Sequence, residues 1–435
     1  MRHSKDLYYL IAATLAVRLP WVFMVPTYEA PDENTHYFII KFMADNLALP
    51  GPHDLTAGGQ QSVYVPLPHF GYIPHILALW TLSGIFDPSM APRFGSLLIA
   101  PIMTCFAWWL GKQLFPENKL CALAVPTMIV FHPQLVLVHS YSNNDATSST
   151  LATALLCLAV VMIRRGLSFK LSALIGLLCG WLALTKYTGY AVLPAVAFAF
   201  LMAAWIHRTA LKSLVIYALS ALGLTVAIAL PWFLRNYQIY NGDYMGTQTM
   251  RRHWAALYDK PLEYYVSPLK ILVDRKWWRM MYFSYWGMFG YMTRPLIKPL
   301  YWTYVAFLAV GIFGLARKLF VETKAGLTVK ILEAFRREDR TAIAHQAVWA
   351  TMFVCTLANL TAMILASTGN VGGPQGRYLF TSEVPFLAGI ILGLSLIGKV
   401  WGRRLVGTLV FFNVVVYIWS FAMLFPIYGF RWKCF

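Results

Sequence analysis

The sequence predicts an all-α polytopic membrane protein, and three observations carry that expectation. Of 435 residues, 59% are hydrophobic and 12% charged, where soluble chains average roughly 45–50% and about 25%. Apolar blocks close to the ~20 residues needed to cross a bilayer recur from Leu7 to Phe425, separated by short polar breaks. Removing those blocks leaves no long soluble stretch, so any chemistry must fall to loops and span ends.

The formal charge is +18, from 36 Lys+Arg against 18 Asp+Glu. In a membrane protein such an excess sorts to cytoplasmic loops and faces anionic lipid, so membrane lipids are expected partners and nucleic acid is not. Six cysteines are scattered without a C-x-x-C pair, and Cys105, Cys121, Cys157, Cys179 and Cys355 fall inside apolar stretches. That pattern indicates neither a disulfide framework nor a thiolate metal site. The first block, Leu7 to Val25, carries Arg18 and Pro20 and lacks a small-residue cleavage signature, so it reads as a retained signal-anchor span.

Charge decides the topology. The block from Phe70 to Phe86 could cross the membrane or lie along it. If it stays at the outer surface, the breaks at 111–119, 164–170, 207–212, 317–340 and 399–404 become cytoplasmic, and each is rich in Lys and Arg. If it crosses, all of them move outside, against the positive-inside rule. It is therefore read as juxtamembrane. The expected spans are 7–25, 93–111, 120–138, 147–163, 171–185, 189–206, 213–234, 296–316, 345–366, 379–397 and 405–425, eleven in all, with the N-terminus inside.

The whole chain, 1–435, is expected to form one integral-membrane domain, with outer loops at 26–92 and 235–295 and a cytoplasmic loop at 317–344. In the last, the spacing of Leu327, Ile331, Leu332 and Phe335 predicts an amphipathic helix on the anionic leaflet. Two features are discordant: the C-terminus falls outside with Arg431 and Lys433, and the external loop 235–295 is basic.

With only 18 acids, their placement is informative. Glu29, Asp32 and Glu33 crowd together just after the first span, in Glu-Ala-Pro-Asp-Glu-Asn-Thr-His. Carboxylates are comfortable at a helix start, but three at one membrane interface repel unless a cation or proton relieves them. Asp32 and His36, four apart, share a helical face. Three further clusters face the same compartment: the Ser142-Asn-Asn-Asp145 turn, Lys186 beside Tyr187, and Arg377 beside Tyr378 in Gly372-Gly-Pro-Gln-Gly-Arg-Tyr. Taken singly, they read as turn residues or snorkelling side chains. Four of them on one face make a candidate site, since ionisable groups at membrane depth are functional candidates by default.

The Pro31-Asp-Glu-x-x-His36 motif, the Pro66-x-Pro-x-x-x-Tyr-x-Pro74 segment, the Asn143-Asn-Asp145 turn, the Lys186-Tyr turn and Gln375-Gly-Arg-Tyr378 resemble, in that order, a family of bacterial membrane proteins. That family is similar to the GT-C superfamily of polyprenyl-phosphate-sugar glycosyltransferases. The resemblance spans about residues 7–400 and implies a GT-C-like helical bundle with juxtamembrane helices in the first outer loop. It implies a catalytic acidic pair at Asp32 and Glu33, with inversion at the anomeric carbon. The site would lie on the outer, periplasmic side of the bacterial cytoplasmic membrane. The donor would be a polyprenyl-phosphate sugar and the acceptor a glycan or a lipid-linked group.

In such a site one base and some positive charge suffice, because a lipid phosphate leaves as a stable anion, whereas a glycosidase needs two carboxylates. Asp32 is the expected base, with Glu33 and His36 positioning it or binding a cation. Asp145, together with Glu33, could complete an oxygen-ligand site for Mg²⁺, Mn²⁺ or Ca²⁺. Lys186 and Arg377 would hold the donor phosphate, with Tyr187, Tyr378 and Arg235 as further substrate contacts. The runs Arg251-Arg-His-Trp and Arg275-Lys-Trp-Trp-Arg suit either interfacial anchoring or an acceptor, and Arg18 is ambiguous in the same way. The rival class is a transporter or flippase of lipid-linked glycans, which would place its ionisable groups along the spans near the midplane; in this sequence they gather at one rim.

Overall fold

The computed structural model describes residues 2–54, 63–257, 259, 265–324, 340–369 and 374–430. The helices are α1 (Arg2–Met24), α2 (Glu33–Asn46), α3 (Ile73–Leu82), α4 (Arg93–Leu114), α5 (Lys119–Phe131), α6 (Pro133–Val138), α7 (Asp145–Arg165), α8 (Phe169–Ala183), α9 (Leu193–Ile206) and α10 (Leu211–Ile239). They continue with α11 (Thr247–Leu257), α12 (Pro268–Val273), α13 (Arg275–Trp286), α14 (Lys298–Lys324), α15 (Arg340–Ser367), α16 (Glu383–Ser395) and α17 (Lys399–Tyr428). A two-stranded antiparallel ribbon pairs β1 (Met288–Phe289) with β2 (Arg294–Pro295), Met288 opposite Pro295. The fold is an all-α polytopic bundle.

Nine helical segments among the described residues are long and apolar enough to cross a membrane. The other two expected spans contain the shorter apolar helices Lys119–Phe131 and Phe169–Ala183. The ten-residue α3 rises about 15 Å, half a hydrocarbon core, and fits the juxtamembrane reading of its segment. The cytoplasmic amphipathic helix expected around Leu327 to Phe335, and Arg431 and Lys433 of the C-terminus, lie outside the described residues.

The bundle is organised around α7. Its apolar window is 89% buried, against 6% for α10, so α7 is the central post and α10 a peripheral helix. Around α7 pack α4, α8, α9 and α15, and the exposed apolar residues lie on the outer helices, for example Leu219 and Leu222 of α10 and Phe411 of α17.

The loops lie on two opposite faces of the bundle. On one face Lys119 pairs with Asp6 at 3.1 Å, Arg164 donates to the Gln113 carbonyl and Arg317 to that of Ile397. On the other, Tyr428 at the end of α17 donates to Glu29. There Arg235 also donates to the carbonyls of Pro50 at 2.8 Å and Leu49 at 3.3 Å. The end of α17 therefore shares a face with the first long loop, as an odd number of crossings demands.

The first long loop is sewn onto the ends of α7 and α8. Phe70 N–H donates to Leu184 O at 2.9 Å, Thr147 Oγ1 to Gly71 O at 2.8 Å, and Trp181 Nε1 to Phe70 O. Gly71 is required by this approach: a Cβ there would lie 2.7 Å from Thr185 Cγ2 and 3.1 Å from Asn144 Cβ.

One expected span differs. The segment 120–138 is broken between α5 and α6, because Pro133 has no N–H to donate and biases His132 to an extended backbone, φ −67° and ψ 111°. The break frees carbonyls in an apolar interior, where each must find a donor. Arg18 supplies two, to Ile129 O at 2.9 Å and Val130 O at 3.0 Å. Asn413 supplies one to Met128 O at 3.3 Å. Arg18 is therefore neither an interfacial anchor nor an acceptor contact; it is fully buried and caps a broken helix. Replacing Arg18 with Met should lower stability by roughly 2–6 kcal/mol, the cost of two unsatisfied carbonyls, read as a fall in thermal unfolding temperature in detergent. Lys, which can reach one carbonyl, should recover part of it, and an unchanged unfolding temperature in the Met variant would refute the capping role.

Candidate active site

The polar face of the bundle holds one connected cluster built from four distant segments. Asp32 precedes α2 in a left-handed conformation, φ 62°, which Asp and Asn tolerate better than other side chains. Its N–H donates to the Tyr291 hydroxyl at 3.2 Å, and Tyr291 itself lies in a left-handed turn, φ 53°. Asp145 is the first residue of α7, where a carboxylate faces the positive end of the helix dipole. Lys186 sits in the turn after α8. Arg377 lies in the 3-10 turn Gly376–Ser382 that leads into α16.

Arg377 is the hub. Its Nη2 donates to Asp32 Oδ2 at 2.8 Å, its Nη1 to the Tyr141 hydroxyl at 2.7 Å, and its Nε lies 3.7 Å from Asp145 Oδ2. Lys186 Nζ holds the other oxygen, Asp145 Oδ1, at 2.7 Å. Both cations stand over the Tyr378 ring, 5.5 and 5.7 Å from its centroid. Two carboxylates and two cations thus balance in a largely desolvated setting: Asp145 is 4% exposed and Arg377 5%. The Asp32 and Lys186 side chains each keep 17% exposure and form the accessible edge. Several buried polar atoms here have no hydrogen-bond partner among the described residues: Asp145 Oδ2, Asn144 Oδ1, Ser142 Oγ, Ser148 Oγ and Arg377 Nε.

The environment sets the protonation of the edge. Burial raises the Asp32 carboxyl, but the charges of Arg377 and Lys186 outweigh it and hold it below the usual carboxylate range. Burial lowers the Lys186 ammonium below its ordinary value, with Asp145 opposing. Burial pushes His36 down to about 3, so it is neutral at pH 7. It shares a 2.6 Å hydrogen bond with the Tyr72 hydroxyl and stacks on Tyr64.

Several expected site residues are placed elsewhere. Glu33 does not join Asp32: its side chain turns into the protein, 1% exposed, and forms a two-pronged pair with Arg93, Nε to Oε1 at 2.7 Å and Nη2 to Oε2 at 2.6 Å. It also accepts the N–H groups of Tyr28 at 2.9 Å and Ser142 at 3.2 Å. Glu33 is therefore a structural clamp between the first outer loop and the Ser142 turn, with its oxygens occupied. Arg235 is engaged by the Leu49 and Pro50 carbonyls, and the Tyr187 hydroxyl donates to Met245 O; both tie the second outer loop down. Residues 370–373, which include Gly372 and Gly373 of the motif before Arg377, lie outside the described residues.

The donor set does not fit a resident divalent cation. Asp145 already serves Lys186 and faces Arg377, Asp32 serves Arg377, and Glu33 is held by Arg93. A metal ion would have to sit between two cations. Among the described residues no group of three His, Cys, Asp or Glu side chains is placed to hold a metal.

Sequence reading missed Tyr141, Tyr291 and Arg93, and it missed a hydrogen-bonded His–Glu pair inside the bundle. His132, at the helix break, hydrogen-bonds Glu383 Oε1 through Nδ1 at 2.6 Å. Its Nε2–H donates to Tyr285 O at 2.8 Å, since a carbonyl can only accept. The Tyr285 hydroxyl donates to Glu383 Oε2 at 2.8 Å. Both members of the pair are fully buried, and the network ties α6, α13 and the start of α16 to the turn carrying Arg377. The ionisable groups are thus not confined to the rim. Of the residues missed, only Tyr141 had a sequence signal, its place directly before the Ser142-Asn-Asn-Asp145 run.

No protein-family model and no curated protein sequence matches the chain. Among solved structures it is similar to an oligosaccharyltransferase from Archaeoglobus fulgidus, in complex with Zn and sulfate, at 15% identity and a TM-score of 0.48. That match covers 97% of this chain and 52% of the other, so the chain spans about half the length of that enzyme. It is also similar to ArnT from Cupriavidus metallidurans bound to undecaprenyl phosphate, at 14% identity and a TM-score of 0.44, covering 96% of this chain and 79% of the other. The apo form of that ArnT gives 14% identity and a TM-score of 0.42, covering 98% of this chain and 80% of the other.

The two neighbouring acids should separate cleanly. Glu33→Gln breaks a buried ion pair and should cost about 3–5 kcal/mol, measured by thermal or denaturant unfolding in detergent. Asp32→Asn keeps the left-handed backbone and lies at the accessible edge, so its loss should be well under half of that. Equal losses would mean that both are structural.

Proposed function

We propose that this chain is a membrane glycosyltransferase of the GT-C type. It moves a sugar from a polyprenyl-phosphate donor to a hydroxyl of a glycan or lipid-linked acceptor, on the outer face of the bacterial cytoplasmic membrane. The observation that carries the reading is the meeting of Asp32, Asp145, Lys186 and Arg377, up to 345 positions apart, in one charge-balanced cluster with an accessible edge. The order of the sequence motifs supports the same reading.

The chemistry follows from that edge. The acceptor oxygen attacks the anomeric carbon, its proton passes to an Asp32 carboxylate oxygen, and the bond from that carbon to the phosphate oxygen breaks. A single displacement inverts the anomeric centre. The electron pair leaves on the lipid phosphate, which Lys186 and Arg377 stabilise as its charge grows. A carboxylate held low by a guanidinium is a weak base. A donor phosphate that draws Arg377 toward itself relieves that hold and raises the basicity of Asp32 as the donor binds. Asp145 keeps the two cations in place, and Tyr378 offers them an aromatic floor. No metal ion is required for any of these steps.

The test uses purified protein, undecaprenyl phosphate as binding probe and, as activity, release of the lipid phosphate from a polyprenyl-phosphate sugar in the presence of an acceptor. Asp32→Asn should lower turnover about 10²–10⁴-fold with probe affinity little changed; retained turnover removes Asp32 from the role of base. Lys186→Gln and Arg377→Gln should each weaken probe binding about 10–150-fold, a charge-assisted bond being roughly 1.5–3 kcal/mol. Their double variant should depart from additivity by more than about 0.5 kcal/mol if one phosphate is shared. Because burial lowers Lys186, probe binding should weaken with rising pH at a point below the ordinary lysine value of about 10.4, and Lys186→Arg should abolish that alkaline loss. Unchanged affinity in all variants would leave the cluster as a structural ion network.

A further inference from the structure

The basic outer loop 235–295 runs against the positive-inside rule, and the structure gathers part of that excess on one elbow. The short α12 and the longer α13 meet at Asp274, and Trp278 Nε1 donates back to Leu272 O at 2.9 Å to hold the bend. One side of the elbow is pinned to the last turn of α15: Ile271, Trp277 and Met281 pack with Met363 and Ile364. Trp277 Nε1 donates to Ser367 Oγ at 2.9 Å, and Val266 N–H donates to Thr368 O at 2.9 Å. Because α15 is long and apolar enough to span the bilayer, its final turn fixes the elbow at the level of the headgroups.

The other side is open. Lys270, Arg275, Lys276 and Arg279 are all exposed, and none has an ion-pair partner among the described residues. The acid between them, Asp274, points its Oδ1 at the Lys276 N–H at 2.8 Å as the helix cap. Among the cations stand exposed apolar side chains: Leu269 is 75% exposed, Val273 78% and Leu272 45%. Four cations interleaved with bare aliphatic groups at the membrane boundary complement an anionic headgroup above and an acyl chain beside it. A purely aqueous partner would leave Leu269 and Val273 in water, and a neutral lipid would leave the charge uncompensated.

We propose that the α12–α13 elbow is a binding surface for anionic phospholipid, its cations on the phosphate headgroups and Leu269, Leu272 and Val273 dipping below them. The elbow adjoins the candidate site, since Tyr378 packs against the apolar cluster of Ile271, Trp277, Met281, Met363 and Ile364. The surface stands on the geometry of the elbow and holds whatever reaction the cluster performs.

The experiment places a photoreactive benzoylphenylalanine at Leu269 in the full chain, reconstituted in nanodiscs of equimolar phosphatidylglycerol and phosphatidylcholine. Mass spectrometry then reads the lipids captured. Phosphatidylglycerol should exceed phosphatidylcholine by about tenfold at this position. The ratio should fall to near one in K270Q/R275Q/K276Q/R279Q. It should also fall in the unsubstituted elbow at about 1 M salt, where the Debye length is roughly 3 Å; this arm does not depend on the quadruple variant folding. Equal capture of the two lipids, or a preference untouched by both the substitutions and salt, overturns the proposal, as does capture of a glycan in place of lipid. Undecaprenyl phosphate affinity is unchanged in the quadruple variant if the cluster and the elbow are separate sites.

Discussion

Charge that leaves water inside a membrane protein must be matched, and the candidate site is organised by that constraint. Asp145 and Arg377 are nearly fully buried, and either alone would cost several kcal/mol. Among the described residues Arg377 is the one group that reaches both carboxylates and Tyr141, so the first outer loop, the start of α7 and the turn before α16 are tied together by a single guanidinium. Lys186 closes the set by taking the remaining oxygen of Asp145. The outcome is a cluster neutral overall, with buried polar atoms still lacking hydrogen-bond partners among the described residues, as suits a site that exchanges internal partners for those of a substrate.

The same constraint explains the groups around it. Glu33 is adjacent to Asp32 in sequence, yet Arg93 draws it inward, and the left-handed backbone of Asp32 points the neighbouring side chain outward. One residue becomes a clamp and the other an edge. Below the rim, the break at Pro133 frees carbonyls that only buried donors can satisfy, and Arg18 and Asn413 meet them. The extended His132 left by that break is matched by Glu383 and Tyr285. A local departure from helix geometry thus accounts for both Arg18 and His132, two of the ionisable groups buried within the bundle.

The loops that carry the site are short of self-sufficient structure and are held by the helices. Gly71 lets the first outer loop reach Thr185 and Asn144, Arg235 and Asn236 bind its carbonyls at Pro50 and Pro66, and Tyr428 ties Glu29 to the end of α17. The second loop is fixed in turn by Ser284, whose hydroxyl accepts the Gly376 N–H at 2.7 Å beside Arg377. Positions far apart in the chain therefore determine where Arg377 points.

By itself the sequence determined the class of fold and placed Asp32, Asp145, Lys186 and Arg377 on one face. Hydropathy and the sorting of Lys and Arg act over whole segments and are legible one residue after another. What only the tertiary structure decided is pairing. That Glu33 belongs to Arg93, that Arg18 caps α5, that Arg235 serves Pro50 and that His132 meets Glu383 across 251 positions depend on which helix ends lie side by side. No local pattern encodes that adjacency, because a buried charge seeks whichever opposite group or free carbonyl the packing brings within reach.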